Sequence, residues 1–380
     1  MMAPLMPRSS QIARRKSEHL ELALNPEAQS GAPGWADISL LHDSLPELDF
    51  EDLDLSCELF GHVVEAPLVV ASMTGGHPDA TAINARLAQA AERHSLAIGV
   101  GSQRAALEEP DLADTYEVVR RHAPTAFVLA NIGVSQLKPA PSRAVDPTEL
   151  ADRAIEMINA DALAIHLNVL EESVQTEGDR GARGWEEAIR IASAAVKRPV
   201  VVKETGGGMS RSTALRLREL GVDGLDVGGL GGTNFARIEG QRAERQGDAR
   251  GVRLGELLGE WGIPTAVSLV GARAAGLPLI ATGGVRTGLD AAKAFALGAR
   301  AVGVGKPLLA AALEGDEALD EWIAGFLDEL RTVLLLSGSR RPAELAQRPL
   351  VVADPTRAWI DALGYERASR PDTEAGPDGG

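Results

Sequence analysis

Glycines that could bind a phosphate follow two short apolar segments in the last third of the chain. Gly283 and Gly284 come after one such segment, and Gly305 and Lys306 come after the next. Because glycine has no Cβ, backbone N–H groups can approach phosphate oxygens closely there, and the lysine adds a positive charge. We therefore predict a phosphate site made largely of backbone, although tight turns alone would also explain the glycines.

A second group of polar side chains could bind a metal and an anionic ligand. His166 and Asn168 are two residues apart on a predicted strand, so their side chains face the same way. Glu172 follows, and a single carboxylate beside a phosphate suits Mg²⁺. Lys203 ends another apolar segment, where a buried ammonium needs an anionic or electron-rich partner. The alternatives are a hydrogen-bonded core histidine, a solvated acidic pair at Glu171 and Glu172, and a lysine that extends to solvent.

The elements that must position these residues alternate regularly along the chain. Short segments rich in Val, Ile, Leu and Ala predict strands buried on both faces, at residues 68–72, 97–101, 127–131, 162–167, 200–203, 224–227, 279–282 and 301–304. Helical periodicity lies between them, at residues 83–91, 150–158, 185–196, 213–220 and 289–297. This alternation predicts an α/β fold, a (β/α)8 TIM barrel, rather than an open doubly wound sheet, which usually has fewer units. Chemistry then gathers at the carboxyl ends of the strands.

The rest of the chain divides around this barrel. Residues 1–66 precede it as an N-terminal extension, residues 67–366 form the barrel, and the composition of residues 367–380 predicts a disordered tail. We interpret residues 228–251, which are rich first in glycine and then in charge, as an elaborated loop after the sixth barrel strand.

Composition excludes several classes of partner and site. The net charge of −16 and the aromatic content of 3% argue against binding nucleic acid or an anionic membrane surface. No apolar stretch approaches the ~18 residues of a membrane span, and no apolar segment of a secretory signal follows the basic residues near the N-terminus. The single cysteine, Cys57, permits no intrachain disulfide and no Cys-based metal site. We expect a cytoplasmic protein.

Several motifs together resemble the type 2 isopentenyl-diphosphate isomerases, a family of FMN-dependent (β/α)8 enzymes. The resemblance extends from about Arg14 to Pro307, and more faintly to Gly364. The motifs are RRKSEH at 14–19, MTGG at 73–76, HLN at 166–168 with Glu172, EGD at 177–179, KE at 203–204, GMS at 208–210, GGTNF at 231–235, WGIPT at 261–265 and GGVR at 283–286.

The resemblance implies an activity in isoprene biosynthesis, the interconversion of isopentenyl and dimethylallyl diphosphate. It implies FMN that is reduced by NADPH or another donor and then acts as acid and base, together with Mg²⁺ held by Glu172. It also implies a homo-oligomer, a tetramer or octamer. The implied catalytic residues are His166, Glu171 and Lys203. The implied substrate-binding residues are Arg15, Lys16, His19, Ser102, Arg104, Asn168 and Glu171. The implied cofactor-binding residues are Ser72, Met73, Thr74, Ser102, Asn131, Lys203, Thr233, Gly283, Gly284, Arg286, Gly305 and Lys306.

Two positions depart from the family pattern. Glu171 stands where the family usually has Gln, and Gly228 stands where it tends to have Ser or Ala. An ionised carboxylate cannot donate a hydrogen bond as an amide does, so we hypothesise that Glu171 changes substrate choice or slows the chemistry. The alternatives are an FMN barrel acting on a different prenyl diphosphate and a barrel that binds flavin or phosphate without turnover.

Two other enzyme classes fit less well. A 2-hydroxy-acid oxidase would require a catalytic histidine late in the barrel, and none of the seven histidines follows His166. An inosine-monophosphate-dehydrogenase-like enzyme would require a nucleophilic cysteine in a barrel loop, whereas Cys57 precedes the first predicted strand.

Overall fold

The computed structural model describes residues 8–29, 31–138 and 146–365. Its strands are β1 (Ile38–Leu40), β2 (Cys57–Leu59), β3 (His62–Val64), β4 (Leu68–Val70), β5 (Ala97–Gly99), β6 (Phe127–Gly133), β7 (Ala162–Leu167), β8 (Val200–Glu204), β9 (Gly224–Asp226), β10 (Leu279–Thr282), β11 (Ala301–Val304) and β12 (Leu350–Val352). Strands β4 to β11 pair in parallel, each with the next one along the chain, and β11 pairs with β4 to close an eight-stranded barrel.

The helices surround this barrel and cap its ends. They are α1 (Arg8–Leu24), α2 (Asp79–Arg93), α3 (Arg104–Glu108), α4 (Asp114–His122), α5 (Val134–Leu137), α6 (Pro147–Met157), α7 (Val169–Val174), α8 (Trp185–Ala195), α9 (Arg211–Glu219), α10 (Phe235–Gln246), α11 (Ala249–Leu258), α12 (Thr265–Ala272), α13 (Gly288–Ala296), α14 (Lys306–Glu314), α15 (Asp316–Leu336) and α16 (Thr356–Ala362). In the part of the chain that the structure describes, no helix is both long enough and apolar enough to cross a membrane.

The core has two layers because successive side chains of a barrel strand face opposite ways. The larger layer packs the strands against the surrounding helices. The smaller layer fills the amino-terminal end of the barrel interior, where Phe127 and Ile280 pack with Leu59 and Val64 of the β2–β3 hairpin. This hairpin plugs one end of the barrel and leaves the carboxyl end, which we call the mouth, open to ligands.

The sequence-based prediction of the barrel is confirmed, strand by strand. All eight predicted segments form barrel strands, and the segments at 162–167, 279–282 and 301–304 have the predicted bounds. The five predicted helical segments correspond to α2, α6, α8, α9 and α13. Short buried strands and amphipathic helices follow directly from hydrophobic periodicity, which explains the agreement.

The interpretation of residues 228–251 as a loop is wrong. Helix α10 occupies Phe235–Gln246, and α11 begins at Ala249. The side chains of Asn234 and Asp248 accept hydrogen bonds from Arg237 N and Arg250 N, both at 3.0 Å, and so cap the two helices. The charged residues that suggested a loop are instead the polar and ion-paired positions of these helices.

Segments outside the barrel complete the fold. Strand β1 pairs antiparallel with β12, which joins the part of the chain before the barrel to the part after it. Helix α1 lies at the mouth, where Leu22 and Ala23 pack against Ile238 of α10. The predicted disordered tail, residues 367–380, and the predicted last barrel residue, 366, lie outside the described residues.

Candidate active site

Two adjoining cavities open at the mouth of the barrel. The first, which we call the charged cavity, encloses about 1050 Å³ and is lined mainly by side chains. The second, which we call the glycine cavity, encloses about 710 Å³ and is lined largely by glycine backbone. Both are lined by Ser72, Met73, Lys203, Thr205 and Phe235. Two ligands bound there would therefore lie against each other.

The glycine cavity contains both predicted phosphate-binding pairs. Gly283 and Gly284 follow β10, while Gly305 precedes Lys306, the first residue of α14. At Gly284 φ is +68°, and an added Cβ would lie 2.7 Å from the carbonyl oxygen of Gly231. Only glycine fits here without moving backbone, and the N-terminus of α14 adds N–H groups that favour an anion.

Two basic side chains reinforce the glycine cavity. Arg286 donates from Nη1 to Gly284 O at 3.1 Å and from Nη2 to Gly231 O at 3.1 Å, which ties two loops together. Lys306 Nζ donates to Asn25 O at 3.0 Å, and burial, with Arg286 nearby, lowers the pKa of this lysine. Thr233, the remaining predicted residue of this group, also lines the cavity.

The charged cavity brings together all the residues predicted to bind substrate. They are Arg15, Lys16, His19, Ser102, Arg104, Asn168 and Glu171. Burial lowers the pKa of Lys16 to about 8, and the charge of Arg15 acts in the same direction. In the described structure, Arg15 Nε is buried without a hydrogen-bond partner, whereas Arg104 Nε donates to Glu108 at 2.8 Å. Two adjacent cations at this position suit an anionic group.

His166 and Asn131 form a hydrogen-bonded pair in the wall of the charged cavity. Asn131 Nδ2 donates to Val100 O at 3.0 Å, so Asn131 Oδ1 accepts from His166 Nδ1 at 2.8 Å. Burial, together with the neighbouring Lys203 charge, lowers the pKa of His166 to about 3. The imidazole is therefore neutral near pH 7, with the lone pair on Nε2.

Glu172 is a buried carboxylate held by two hydrogen bonds. Its Oε2 accepts from Asp179 N at 2.7 Å, and its Oε1 accepts from Asn168 Nδ2 at 3.1 Å. In the described part of the chain, Asn168 Oδ1 is buried and has no partner. A carboxylate oriented in this way, with lone pairs left over, is typical of a metal ligand.

Glu171 meets two residues of other helices. It lies with His19 of α1 and Glu239 of α10 in a cluster whose ligand atoms are all within 4.8 Å of one another. His19 Nε2 is 2.5 Å from Glu239 Oε1, and burial lowers the pKa of His19 to about 3. Burial raises the pKa of Glu239 to about 7 and also raises that of Glu171, where Glu239 and Glu172 add repulsion and His19 opposes it. The position that departs from the family therefore lies inside the charged cavity.

Lys203 lies at the boundary between the two cavities, next to Glu204, whose carboxylate binds the backbone of the loop after β8. Its Nζ donates to Glu204 O at 3.1 Å. The Glu204 carboxylate accepts from Gly206 N at 2.7 Å and Gly207 N at 2.5 Å, and burial raises its pKa to about 7. Gly228 packs against the same strand end with φ +45°, and a Cβ would overlap Glu204 O. Local packing therefore explains this second departure.

The residues predicted to bind the cofactor divide between the cavities. Those that line the glycine cavity are Ser72, Met73, Lys203, Thr233, Gly283, Gly284, Arg286, Gly305 and Lys306. Thr74, Ser102 and Asn131 line the charged cavity only. The Thr74 hydroxyl donates a hydrogen bond to Asn84 Oδ1 and so holds the loop after β4 in place.

Glu239, Arg242, Thr205 and Phe235 were not predicted as site residues. Phe235, Ile238, Glu239 and Arg242 have the spacing of one helix face, and all but the partly exposed Phe235 are buried. That spacing indicates a helix with one buried face, but the high charge of the segment favours a loop. Thr205 follows β8 and carried no signal of its own.

Comparisons with known proteins agree with this geometry. The family model for FMN-dependent dehydrogenases matches residues 136–352. Isopentenyl-diphosphate delta-isomerase of Methanosarcina acetivorans is 46% identical over 355 residues, which cover 93% of this chain and 95% of that protein. The protein of the same name from Archaeoglobus fulgidus is 45% identical, over 93% of this chain and 99% of that protein. A crystal structure of a mandelate oxidase variant superposes with a TM-score of 0.60 at 18% identity, covering 91% of this chain and 100% of that one, which shows a common fold.

Proposed function

The chain belongs to the isopentenyl-diphosphate delta-isomerase family, and we propose that it interconverts isopentenyl diphosphate and dimethylallyl diphosphate. As a member of that family it is an isomerase. The observation that carries the proposal is that the glycine cavity and the charged cavity meet at Lys203 and Phe235. A cofactor in the first would then face a diphosphate substrate in the second.

The glycine cavity fits the phosphate end of FMN. Added Cβ atoms at Gly284 and Gly228 would meet backbone, so glycine is needed there for the loops of this wall to pack against each other. We assign the phosphate to Gly283, Gly284, Gly305 and Lys306, and the ring to the boundary with the charged cavity near Lys203. When bound and reduced, FMN supplies acid–base chemistry, and we propose NADPH as a reductant.

Glu172 fits a divalent cation, and we propose Mg²⁺. One oriented carboxylate is sufficient, because Mg²⁺ commonly binds one or two carboxylates and completes its shell with phosphate oxygens and water. Arg15 and Lys16 would bind the diphosphate from α1, and the buried Arg15 Nε without a partner supports this assignment. Asn168 would orient both Glu172 and the substrate.

The other end of the charged cavity suits the prenyl tail. Leu20, Ala23 and Phe235 supply apolar lining to the charged cavity, and Phe235 also lines the glycine cavity. Protonation of an unactivated alkene gives a tertiary, cation-like state, which is favoured where water is excluded and a carboxylate is close. We propose that Glu171 supplies that carboxylate, that neutral His166 accepts or holds a proton at Nε2, and that Lys203 orients the cofactor.

The remaining parts of the proposal concern the whole protein. We propose that residues 1–66 contribute substrate-binding residues to a barrel spanning 67–366. We also propose a cytoplasmic homo-oligomer, a tetramer or octamer, that binds neither nucleic acid nor membrane.

The experiment uses the FMN-loaded protein with Mg²⁺ and NADPH. We expect a yellow protein that NADPH bleaches, and we expect it then to convert isopentenyl diphosphate to dimethylallyl diphosphate, observed by NMR. A panel of longer prenyl diphosphates tests the alternative substrates. A yellow, reducible protein that converts no member of the panel would contradict the proposal and favour a binding protein. The shared fold with mandelate oxidase does not favour oxidation, because no histidine follows His166 in the sequence.

A further inference from the structure

Helix α1 carries two of the proposed diphosphate-binding residues, Arg15 and Lys16, whereas the apolar contacts of its described side chains come from residues 20–24. Leu22 and Ala23 form a small cluster with Ala28 and Ile238, and Leu20 and Leu24 pack against the large core layer. The barrel layers, by contrast, are built from many buried side chains. Because α1 precedes the barrel in sequence, no strand pairing fixes Arg15 and Lys16 at the mouth. Between this apolar end and the two bases lie Glu18 and His19, whose described contacts are polar.

Arg242 of α10 binds three carboxylates from three different segments. Its Nε donates to Glu18 Oε2 of α1 at 2.9 Å, and its Nη1 donates to Glu239 Oε2 at 2.5 Å. Its Nη2 donates to Glu177 Oε1, in the segment after α7, at 3.1 Å. Burial disfavours the charged guanidinium, but the Glu239 and Glu177 carboxylates outweigh it and raise the pKa of Arg242.

The same network reaches the next residue of α1. Glu239 uses one oxygen for Arg242 and the other for His19, whose Nε2 lies 2.5 Å away. Glu18 and His19 are therefore both attached to one buried pair on α10. Arg15 lies about one helical turn before Glu18, and Lys16 lies about one turn before His19. Fixing Glu18 and His19 fixes the direction in which the two bases project.

We propose that Arg242 is a positioning residue that holds α1 over the mouth so that Arg15 and Lys16 face the diphosphate. This inference rests on the proposed diphosphate-binding function of the charged cavity. Arg242 does not line that cavity, so it acts through α1 and not by touching substrate.

The chain offers a matched control one turn further along the same two helices. Arg245 of α10 binds Glu21 of α1 in a bidentate pair at 2.9 and 3.0 Å. The two side chains are 40% and 66% exposed, whereas Arg242 is buried. Exposed ion pairs contribute little to stability, so this pair joins the same helices without fixing them.

The test compares Arg242→Gln with Arg245→Gln in the FMN-loaded, Mg²⁺-supplied protein. We expect Arg242→Gln to speed hydrogen exchange of the backbone amides of 15–24 and to weaken binding of inorganic pyrophosphate by about tenfold, while exchange in the barrel strands is unchanged. KM for isopentenyl diphosphate should rise more than kcat falls. Arg245→Gln should change each quantity less than twofold, and Arg242→Lys should restore part of the affinity.

A second comparison separates positioning from a general structural effect. In the Arg15→Ala/Lys16→Ala background, adding Arg242→Gln should weaken pyrophosphate binding little further, because the bases it positions are gone. If Arg242→Gln fails to fold, Glu18→Gln removes only the α1 partner and leaves the pair of Arg242 with Glu239 intact. The inference is overturned if these variants leave α1 exchange or pyrophosphate affinity unchanged, or if the full loss persists without Arg15 and Lys16. Exchange and pyrophosphate binding need no turnover, so a parent protein without isomerase activity would contradict only the proposed function.

Discussion

The two cavities at the mouth differ in what they are made of. The glycine cavity is formed mainly at the ends of β4, β8, β9, β10 and β11, all of which are fixed by the closed barrel. The charged cavity is formed by side chains, several of which belong to α1, outside the barrel. The first depends on strand pairing, and the second depends on how a separate helix docks. We therefore expect substitutions in the two cavities to fail in different ways.

The largest effect should follow loss of the metal ligand. Glu172→Gln keeps the shape of the side chain but removes its charge, so the proposed Mg²⁺ and diphosphate would lose their anchor. We expect kcat/KM for isopentenyl diphosphate to fall roughly a thousandfold, equivalent to about 4 kcal/mol of transition-state stabilisation. Steady-state assays over a range of Mg²⁺ concentrations measure this, and the FMN content should be unchanged. A variant within tenfold of the parent would show that the cation is held elsewhere.

The glycine cavity should respond through flavin binding instead. Gly284→Ala places a Cβ 2.7 Å from Gly231 O and 2.8 Å from the Pro33 ring, in backbone with φ +68°. We expect FMN affinity to fall roughly a hundredfold, or about 3 kcal/mol. Gly276→Ala is the matched control, because φ there is +66° but nothing lies within 4 Å. Fluorescence titration of the apoprotein with FMN measures the affinity of both variants. Equal losses of affinity would point to backbone strain at a positive φ rather than to the shape of the glycine cavity.

A pH effect should distinguish the charged cavity from the glycine cavity. Burial lowers the pKa of Lys16 to about 8, so this ammonium is charged below that pH and neutral above it. We expect kcat/KM to fall up to about tenfold per pH unit above 8, since this parameter reports the free enzyme. Lys16→Arg should move the decline to higher pH, because the guanidinium stays charged. An unmoved alkaline limb in that variant would assign it to another group. Lys16→Arg should leave the pH dependence of FMN affinity unchanged, because Lys16 does not line the glycine cavity.

The smallest effect should come from the carboxylate that departs from the family. Glu171→Gln removes an acidic group that lies near Glu239 and Glu172, and so relieves repulsion toward a bound diphosphate. We expect kcat to fall several-fold, because the carboxylate proposed to favour the cation-like state is lost, and KM to fall as well, because the diphosphate is repelled less, so that kcat/KM changes by roughly 1 kcal/mol or less. Parallel assays of variant and parent measure kcat and KM separately. Identical values would refute the hypothesis that Glu171 tunes substrate choice or rate.

The difference between the cavities also explains what the sequence could predict. Gly283, Gly284, Gly305 and Lys306 were predictable because they directly follow strands whose apolar runs mark their ends. The position of a glycine at a strand end can be predicted from the residues next to it in the sequence. The pattern of apolar strand segments followed by glycine was therefore enough to predict the glycine cavity.

The charged cavity was predictable only in part. His166, Asn168 and Glu172 followed from their strand, whereas the role of α1 residues came from the resemblance alone. Glu239 and Arg242 were missed because their partners, His19 and Glu18, lie some 220 residues away in sequence, and local patterns carry no such pairing. Their helix was itself misinterpreted as a loop, since ion-paired charges on a buried face resemble solvated ones in a sequence.

We propose that a flavin and a metal-bound diphosphate lie side by side at the mouth. A crystal structure of the protein with FMN, Mg²⁺ and inorganic pyrophosphate tests it most directly. We expect the FMN phosphate on Gly284 and Lys306, the flavin ring beside Lys203, and pyrophosphate between Arg15, Lys16 and the Glu172-bound cation. FMN and pyrophosphate on separate faces of the barrel, or pyrophosphate alone in the glycine cavity, would contradict it.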